Sequence, residues 1–330
     1  MRILFYGAGV IGSLYASELF SYKDNIKECI NGEENNSQIT DKTQVEINIL
    51  ARGKRLEDIQ KNGIVINHYL QKKKTIINVP AIESLEENDV YDFIFVIMRK
   101  NQVLDILPIL QRNKSENIIF LGNNGTGIEN YQDLIRKERI LLGFPSAGGR
   151  REGPMIKSIH SEKGNMTLGE MNGKITPRLL LLKKIFEAAK FPVVFTDNID
   201  AWLKYHIALV SPLANGIFYA KGDNYKLAKD RNGIKLVIRA IKEGFCVLKN
   251  LNIPIYPDNL KKLFRYPRFL QIFFLKKALG SEKGELALRD HAMAAIDEMR
   301  QIADEFQEII KKTSTPTPSI NKLYEFIPLK

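Results

Sequence analysis

The stretch Ile3-Leu4-Phe5-Tyr6-Gly7-Ala8-Gly9-Val10-Ile11-Gly12-Ser13 decides the reading of this chain. Four successive apolar residues suit a strand buried on both faces, and they run straight into a glycine-rich turn. Residues 13–20 carry helical patterning, so glycines spaced G-x-G-x-x-G stand between a strand and a helix. Each glycine has its own task in such a unit. Gly7 allows the tight turn, Gly9 lets the backbone approach a pyrophosphate, and Gly12 lets helix and strand pack closely. The first N–H groups of the helix have no partner within it and, with the helix dipole, hold an anion. The spacing predicts a dinucleotide site built from Gly7, Ala8, Gly9, Val10, Ile11 and Gly12.

The second strand of such a unit ends about 20 residues after the glycines, in an acid for NAD or near an arginine for NADP. Here the apolar run 45–50 leads into Ala51-Arg52-Gly53-Lys54-Arg55, and Arg52 lies 45 residues beyond Gly7. The excess falls in 23–44, where only Ile26, Cys29, Ile30 and Ile39 are apolar, which reads as a polar insertion that leaves the motif intact. With Arg52 at the strand end and no acid there, NADP(H) is the expected cofactor. Lys54 or Arg55 is expected to add charge at its 2′-phosphate.

Further along, strands are expected at 63–67, 76–79, 92–98, 118–121 and 140–144, and helices at 102–110 and 129–136. This alternation predicts an α/β fold with a Rossmann-type doubly wound parallel sheet. Two strand ends carry polar groups at the carboxyl edge, where such sheets bind ligands. One is Arg99-Lys100-Asn101-Gln102, read either as cofactor contacts through Arg99 and Lys100 or as a solvated basic loop. The other is Asn123-Asn124-Gly125-Thr126-Gly127, in which Asn124 is expected to orient a substrate or the nicotinamide ribose; a plain turn is the alternative. Residues 155–160 and 165–168 read as strands paired around a turn at 163–164. A helix over 177–190 and a last strand at 193–195 follow. Beyond Asp197 helical periodicity takes over, giving an NADP-binding domain over 1–196 and an all-helical substrate-binding and dimerisation domain over 197–330.

A length of 330 residues agrees with two domains. Lys and Arg outnumber Asp and Glu by 49 to 38, a net charge of +11, yet no basic-aromatic nucleic-acid module is visible, so no nucleic-acid partner is expected. Only Cys29 and Cys246 are present, which excludes a disulfide framework and suits a reducing cytoplasm. No apolar run reaches the ~18–20 residues of a membrane span. The four histidines, at 68, 160, 206 and 291, show no metal-ligand spacing, so no metal is expected.

From end to end the chain resembles the 2-dehydropantoate 2-reductase (ketopantoate reductase) family. The resemblance is carried by the Gly7/Gly9/Gly12 strand-turn-helix, Ala51-Arg52-Gly53, the 99–102 segment, Asn124-Gly125-Thr126-Gly127 and Trp202-Leu203-Lys204. It implies that Lys204 polarises a 2-keto oxygen and gives it a proton as hydride arrives from NADPH. Counting back from Pro316-Thr317-Pro318, it places the family's lysine-orienting glutamate near Glu298, with Asp297 adjacent. In the family, asparagines stand one and two turns beyond the lysine; this chain has Ala208 and Pro212, with Ser211 and Asn215 on roughly the same face as substitutes. Leu286 falls where the family has a substrate-binding serine. His291, seven residues before Glu298 on an expected helix over 290–311, joins the substrate-binding candidates. The implied activity is NADPH-dependent reduction of a small anionic 2-keto acid, like ketopantoate to pantoate in pantothenate and coenzyme A biosynthesis, with a diverged substrate. The alternative is a non-catalytic NADP-binding regulatory or scaffold protein. The aromatic segment 264–275 reads as a helix in a homodimer interface or as a membrane-surface segment.

Overall fold

The computed structural model describes residues 1–31, 44–161, 166–263 and 265–328. The chain divides into two compact units: the first comprises 1–98, 102–122 and 128–199, and the second comprises 200–330 with the short segments 99–101 and 123–127.

In the first unit, strand β1 (Arg2–Tyr6) is buried from Ile3 to Tyr6, as a strand covered on both faces requires. The further strands are β2 (Glu46–Leu50), β3 (Ile64–His68), β4 (Lys73–Ile77), β5 (Ala81–Ile82), β6 (Phe93–Val96), β7 (Ile118–Leu121), β8 (Ile140–Phe144), β9 (Ala147–Glu152), β10 (Met155–His160), β11 (Met166–Gly169) and β12 (Val193–Phe195). Eight of them form one sheet in the order β12-β11-β8-β7-β6-β1-β2-β5. β1 runs parallel to β2 on one side, Tyr6 opposite Leu50, and to β6 on the other, Tyr6 opposite Val96. Successive strands are added first on one side of β1 and then on the other, so its carboxyl end is the switch point at which such sheets bind ligands. Helices α1 (Val10–Ser21), α2 (Lys23–Asn31), α3 (Gly53–Asn62), α4 (Lys100–Arg112) and α5 (Pro177–Ala188) complete the α/β pattern. Leu14 and Leu19 of α1 and Leu179, Leu182 and Phe186 of α5 share one core with Phe5 and Phe95.

Four expectations change. The strands read at 63–67 and 76–79 do not join the parallel sheet. β3 and β4 pair antiparallel in a second sheet, β4-β3-β10-β9, because the four residues between them can close a hairpin but are too few for a parallel crossover. β10 pairs with β9 and β3, whereas β11 runs antiparallel to β8 in the main sheet, so 155–160 and 165–168 are not partners; the turn expected at 163–164 lies outside the described residues. Residues 129–136 form isolated turns in place of a helix. The insertion read at 23–44 opens with helix α2, anchored in the core by fully buried Ile26, and its portion 32–43 lies outside the described residues.

The second unit is helical, as the sequence predicts. Helix α6 (Ile199–Tyr219) continues through Pro212, and α7 (Asn224–Lys229) and α8 (Arg231–Asn250) follow. Ile207 and Ile217 of α6 pack in one core with Val237, Ile241 and Phe245 of α8 and with Ile302 and Phe306. The helix expected over 290–311 is split: Asp290–Ala294 and Ile296–Ile310 meet at Ala295, whose φ of −132° and ψ of 47° leave the helical region. Among the described residues no helix is long and apolar enough to cross a membrane.

Candidate active site

The glycine turn of the first unit is fixed by sterics. Gly7 has φ +121°, and a Cβ there would lie 2.4 Å from the Ile97 carbonyl oxygen; a Cβ on Gly12 would lie 2.0 Å from that of Gly7. Gly9 differs, because a Cβ there meets nothing within 4 Å. Its side faces open space, as an approaching phosphate requires. Gly9 is the N-cap of α1, no side chain caps the helix, and its first turn, from Val10 and Ile11 on, holds no acid, so the N-terminal field is left for an external anion.

Arg52 and Arg55 are three residues apart and have different tasks. Arg52 is exposed at the carboxyl end of β2 and donates to the Tyr6 hydroxyl at 2.8 Å. Arg55, expected to add charge at a 2′-phosphate, is instead buried. It donates to the carbonyls of Ala8 and Pro154 at 3.0 Å and to the Ser13 hydroxyl at 3.1 Å, so its guanidinium clamps the glycine turn from beneath. Lys54 remains exposed beside Arg52.

The second unit holds a buried polar cluster. Lys100 is 2% exposed, and its ammonium donates to Asn124 Oδ1 at 2.9 Å and Thr126 Oγ1 at 3.2 Å, with Glu305 Oε1 at 4.0 Å. Burial pushes this ammonium below the usual lysine range, and the Glu305 and Glu298 carboxylates oppose that shift. Asn124 Nδ2 donates to the Gly127 carbonyl at 2.6 Å, so both ends of the amide are used within the turn. Glu298 Oε1 accepts from the Lys100 backbone N–H at 3.3 Å and from Asn123 Nδ2 at 3.2 Å. Its other oxygen lies 3.8 Å from His291 Nε2. Asp297 accepts from Arg99 at 3.3 Å and Asn101 at 2.7 Å, and these donors hold its carboxyl below the usual carboxylate range.

The structure places Arg99, Lys100 and Asn124, expected at the cofactor or the substrate, in this cluster. The two cations are bound to acids and amides of the second unit, and Asn124 shapes the 123–127 turn. Asn123 and Thr126 lie in the asparagine-glycine stretch that the sequence singled out without giving them roles, while Glu305, which carries no motif, was missed.

Lys204 on α6 is paired with Asp200, one turn earlier on the same helix face. Glu298, expected to orient Lys204, is bonded to the Lys100 backbone N–H and Asn123. The i,i+4 spacing of Asp200 and Lys204 was the available signal. Only 18% of the Lys204 side chain is exposed, against 33% for Asp200. Further along α6, Ser211 is 5% exposed and Asn215 2%, and the Asn215 Oδ1 atom is buried with no hydrogen-bond partner. Pro212 has no N–H, so the Ala208 carbonyl lacks its usual helical donor. His291 is brought to Glu298, although its ring is 43% exposed.

A glycine turn at a sheet switch point, followed by an exposed cation at the end of the next strand, defines a dinucleotide-binding α/β protein of the nicotinamide-dependent oxidoreductase class. The chain belongs to the ketopantoate reductase family: the family model described as Ketopantoate reductase PanE/ApbA matches residues 3–173. Among solved structures of similar fold, D-mandelate dehydrogenase with NADH and anilino(oxo)acetate has a TM-score of 0.74 at 16% identity, covering 99% of this chain and 97% of that one. The 2-dehydropantoate 2-reductase from Geobacter metallireducens GS-15 has a TM-score of 0.75 at 16% identity, covering 99% of both chains. The one from Porphyromonas gingivalis W83 gives 0.70 at 12%, covering 98% of both. At such identities the likeness establishes the fold. No curated protein matches the chain by sequence.

Proposed function

We propose that the protein is an NADPH-dependent reductase of a small anionic 2-keto acid other than ketopantoate, with Lys204 as the general acid. The observation that carries this reading is the Lys204 ammonium itself, largely buried on α6 and held by the Asp200 carboxylate. An ammonium placed beside a keto oxygen stabilises the charge that grows there during reduction more than it stabilises the neutral ketone, and its Nζ proton neutralises the alkoxide. Asp200 holds Nζ in place, and Glu298, held by His291 and Asn123, lines the same helical unit. The nicotinamide cofactor supplies the hydride. The open side of Gly9, the uncapped start of α1 and exposed Arg52 fit a dinucleotide bearing a 2′-phosphate, and β2 ends without the acid that would favour NAD.

Substrate divergence rests on α6. Ala208 and Pro212 offer no side-chain amides, while the buried Asn215 oxygen and the Ala208 carbonyl offer acceptors. The substrate therefore carries a donor group toward Ser211 and Asn215. A homodimer formed through Phe269, Phe273 and Phe274, all more than half exposed, completes the reading, together with a reducing cytoplasmic setting for exposed, unpaired Cys29 and Cys246. The test is a screen of 2-keto acids for oxidation of NADPH. Turnover of an acid bearing a hydroxyl or amino group on its tail supports the assignment; tight NADPH binding with no turnover of any 2-keto acid overturns it in favour of a cofactor-binding regulator.

A further inference from the structure

Three potential metal ligands from separate elements of the first unit converge away from the glycine turn. Glu18 lies on α1, His68 ends β3 and His160 ends β10, and one ligand atom from each lies within 4.8 Å of the other two. Both histidines are buried, at 1% and 7% exposure. His68 Nε2 is 2.8 Å from Thr75 Oγ1, and its other ring nitrogen, Nδ1, is buried with no hydrogen-bond partner. Beside His160, Gln71 places its Nε2 3.4 Å from His160 Nε2, and the Gln71 amide oxygen is likewise buried without a partner. With Nε2–H donated to Thr75, His68 Nδ1 is an acceptor without a donor, and a buried acceptor of that kind calls for a cation or a donor.

We infer that Glu18, His68 and His160 form a binding site for one divalent transition-metal ion of the zinc class. Two imidazoles and one carboxylate are a common three-ligand set for zinc, with water in the fourth position. The Thr75 hydroxyl at His68 Nε2 is the kind of neighbour that fixes ring orientation and leaves Nδ1 for the metal. The exposed ammonium of Lys73 is the facing charge, and its long, mobile side chain can turn to solvent as the ion enters. The role is structural: the ion ties the helix that follows the glycine turn to the β4-β3-β10-β9 sheet. Linear spacing hid the set, since its members are 50 and 92 residues apart and come together only when β3 pairs with β10.

The test uses the full-length protein stripped with a chelator and then titrated with Zn2+ or Co2+. One zinc per chain is expected, with a rise in the unfolding midpoint of about 5 °C at saturation and a visible Co2+ absorption. Glu18→Gln, isosteric and half-buried, is expected to keep the fold and lose both the midpoint rise and the absorption; His68→Asn and His160→Gln are expected to do the same. Failure of the wild type to bind one equivalent, or a midpoint rise of the same size in Glu18→Gln, overturns the site. NADPH binding by the metal-free protein is read alongside, so that a lost metal site and a lost cofactor site are told apart.

Discussion

The Lys100 ammonium donates to Asn124 Oδ1 at 2.9 Å, joining the residues that follow two different strands of the main sheet into one buried cluster of the second unit. A buried ammonium is tolerated only when hydrogen-bonded and charge-compensated, and here Thr126, Glu305 and Glu298 supply the rest. Lys100→Met is expected to cost about 3 kcal/mol of stability, because it strands the Glu298 and Glu305 carboxylates. Denaturant unfolding of the variant measures this, and a change below 1 kcal/mol would show the cluster to be solvated.

Gly9 and Gly12 separate binding from folding. Gly12→Ala puts a Cβ 2.0 Å from the Gly7 carbonyl oxygen and is expected to destabilise by about 1–3 kcal/mol or more. Gly9→Ala meets nothing within 4 Å, so its unfolding midpoint should stay at the wild-type value while NADPH binding weakens tenfold or more, about 1.4 kcal/mol. Calorimetric titration beside thermal unfolding reads both effects.

Arg52→Ala should raise the Kd for NADPH by about 10- to 100-fold, the loss of one or two charge-assisted hydrogen bonds, and leave that for NADH unchanged. Equal weakening of both cofactors would assign Arg52 to the fold through its bond to Tyr6 instead of to the 2′-phosphate.

Removing the acid should act on turnover. Lys204→Ala is expected to lower kcat by about 10²–10³, the usual cost of one donor at a developing oxyanion. Asp200→Asn is expected to lower it less, because the ammonium survives with looser placement. If Lys204→Ala instead raises KM with kcat intact, Lys204 contributes binding alone.

His206, stacked on Trp202 with ring centroids 5.3 Å apart, is pushed down to about 3, by burial first and by His291 second. An unfolded histidine titrates near 6.5, so between pH 6.5 and 3 the unfolded chain holds a proton that the folded chain refuses, and stability falls as the pH drops through this window. His206→Gln should remove about 1–2 kcal/mol of the loss between pH 6.5 and 5, where carboxylates contribute little. Unfolding curves at the two pH values check it.

Sequence by itself determined the glycine turn, the parallel sheet around β1, the helical second half and the family, because these rest on local facts: short apolar runs, three glycines at fixed spacing, and periodicity over many residues. It also placed His291 and Glu298 on one helix face, though not in contact. On an unbroken helix the two would lie about 10.5 Å apart along the axis, and only the break at Ala295 brings the side chains to 3.8 Å. Tertiary structure alone decided that Arg55 clamps a loop while Arg52 faces solvent, that Lys100 is buried while Lys54 is not, and that Lys204 pairs with Asp200 and not Glu298. It also decided that β3 leaves the main sheet to pair with β10 and so brings His68 to His160. A side chain's charge and reach are written in the sequence, but its burial and partners depend on segments tens to hundreds of residues away, which only the folded chain brings into contact.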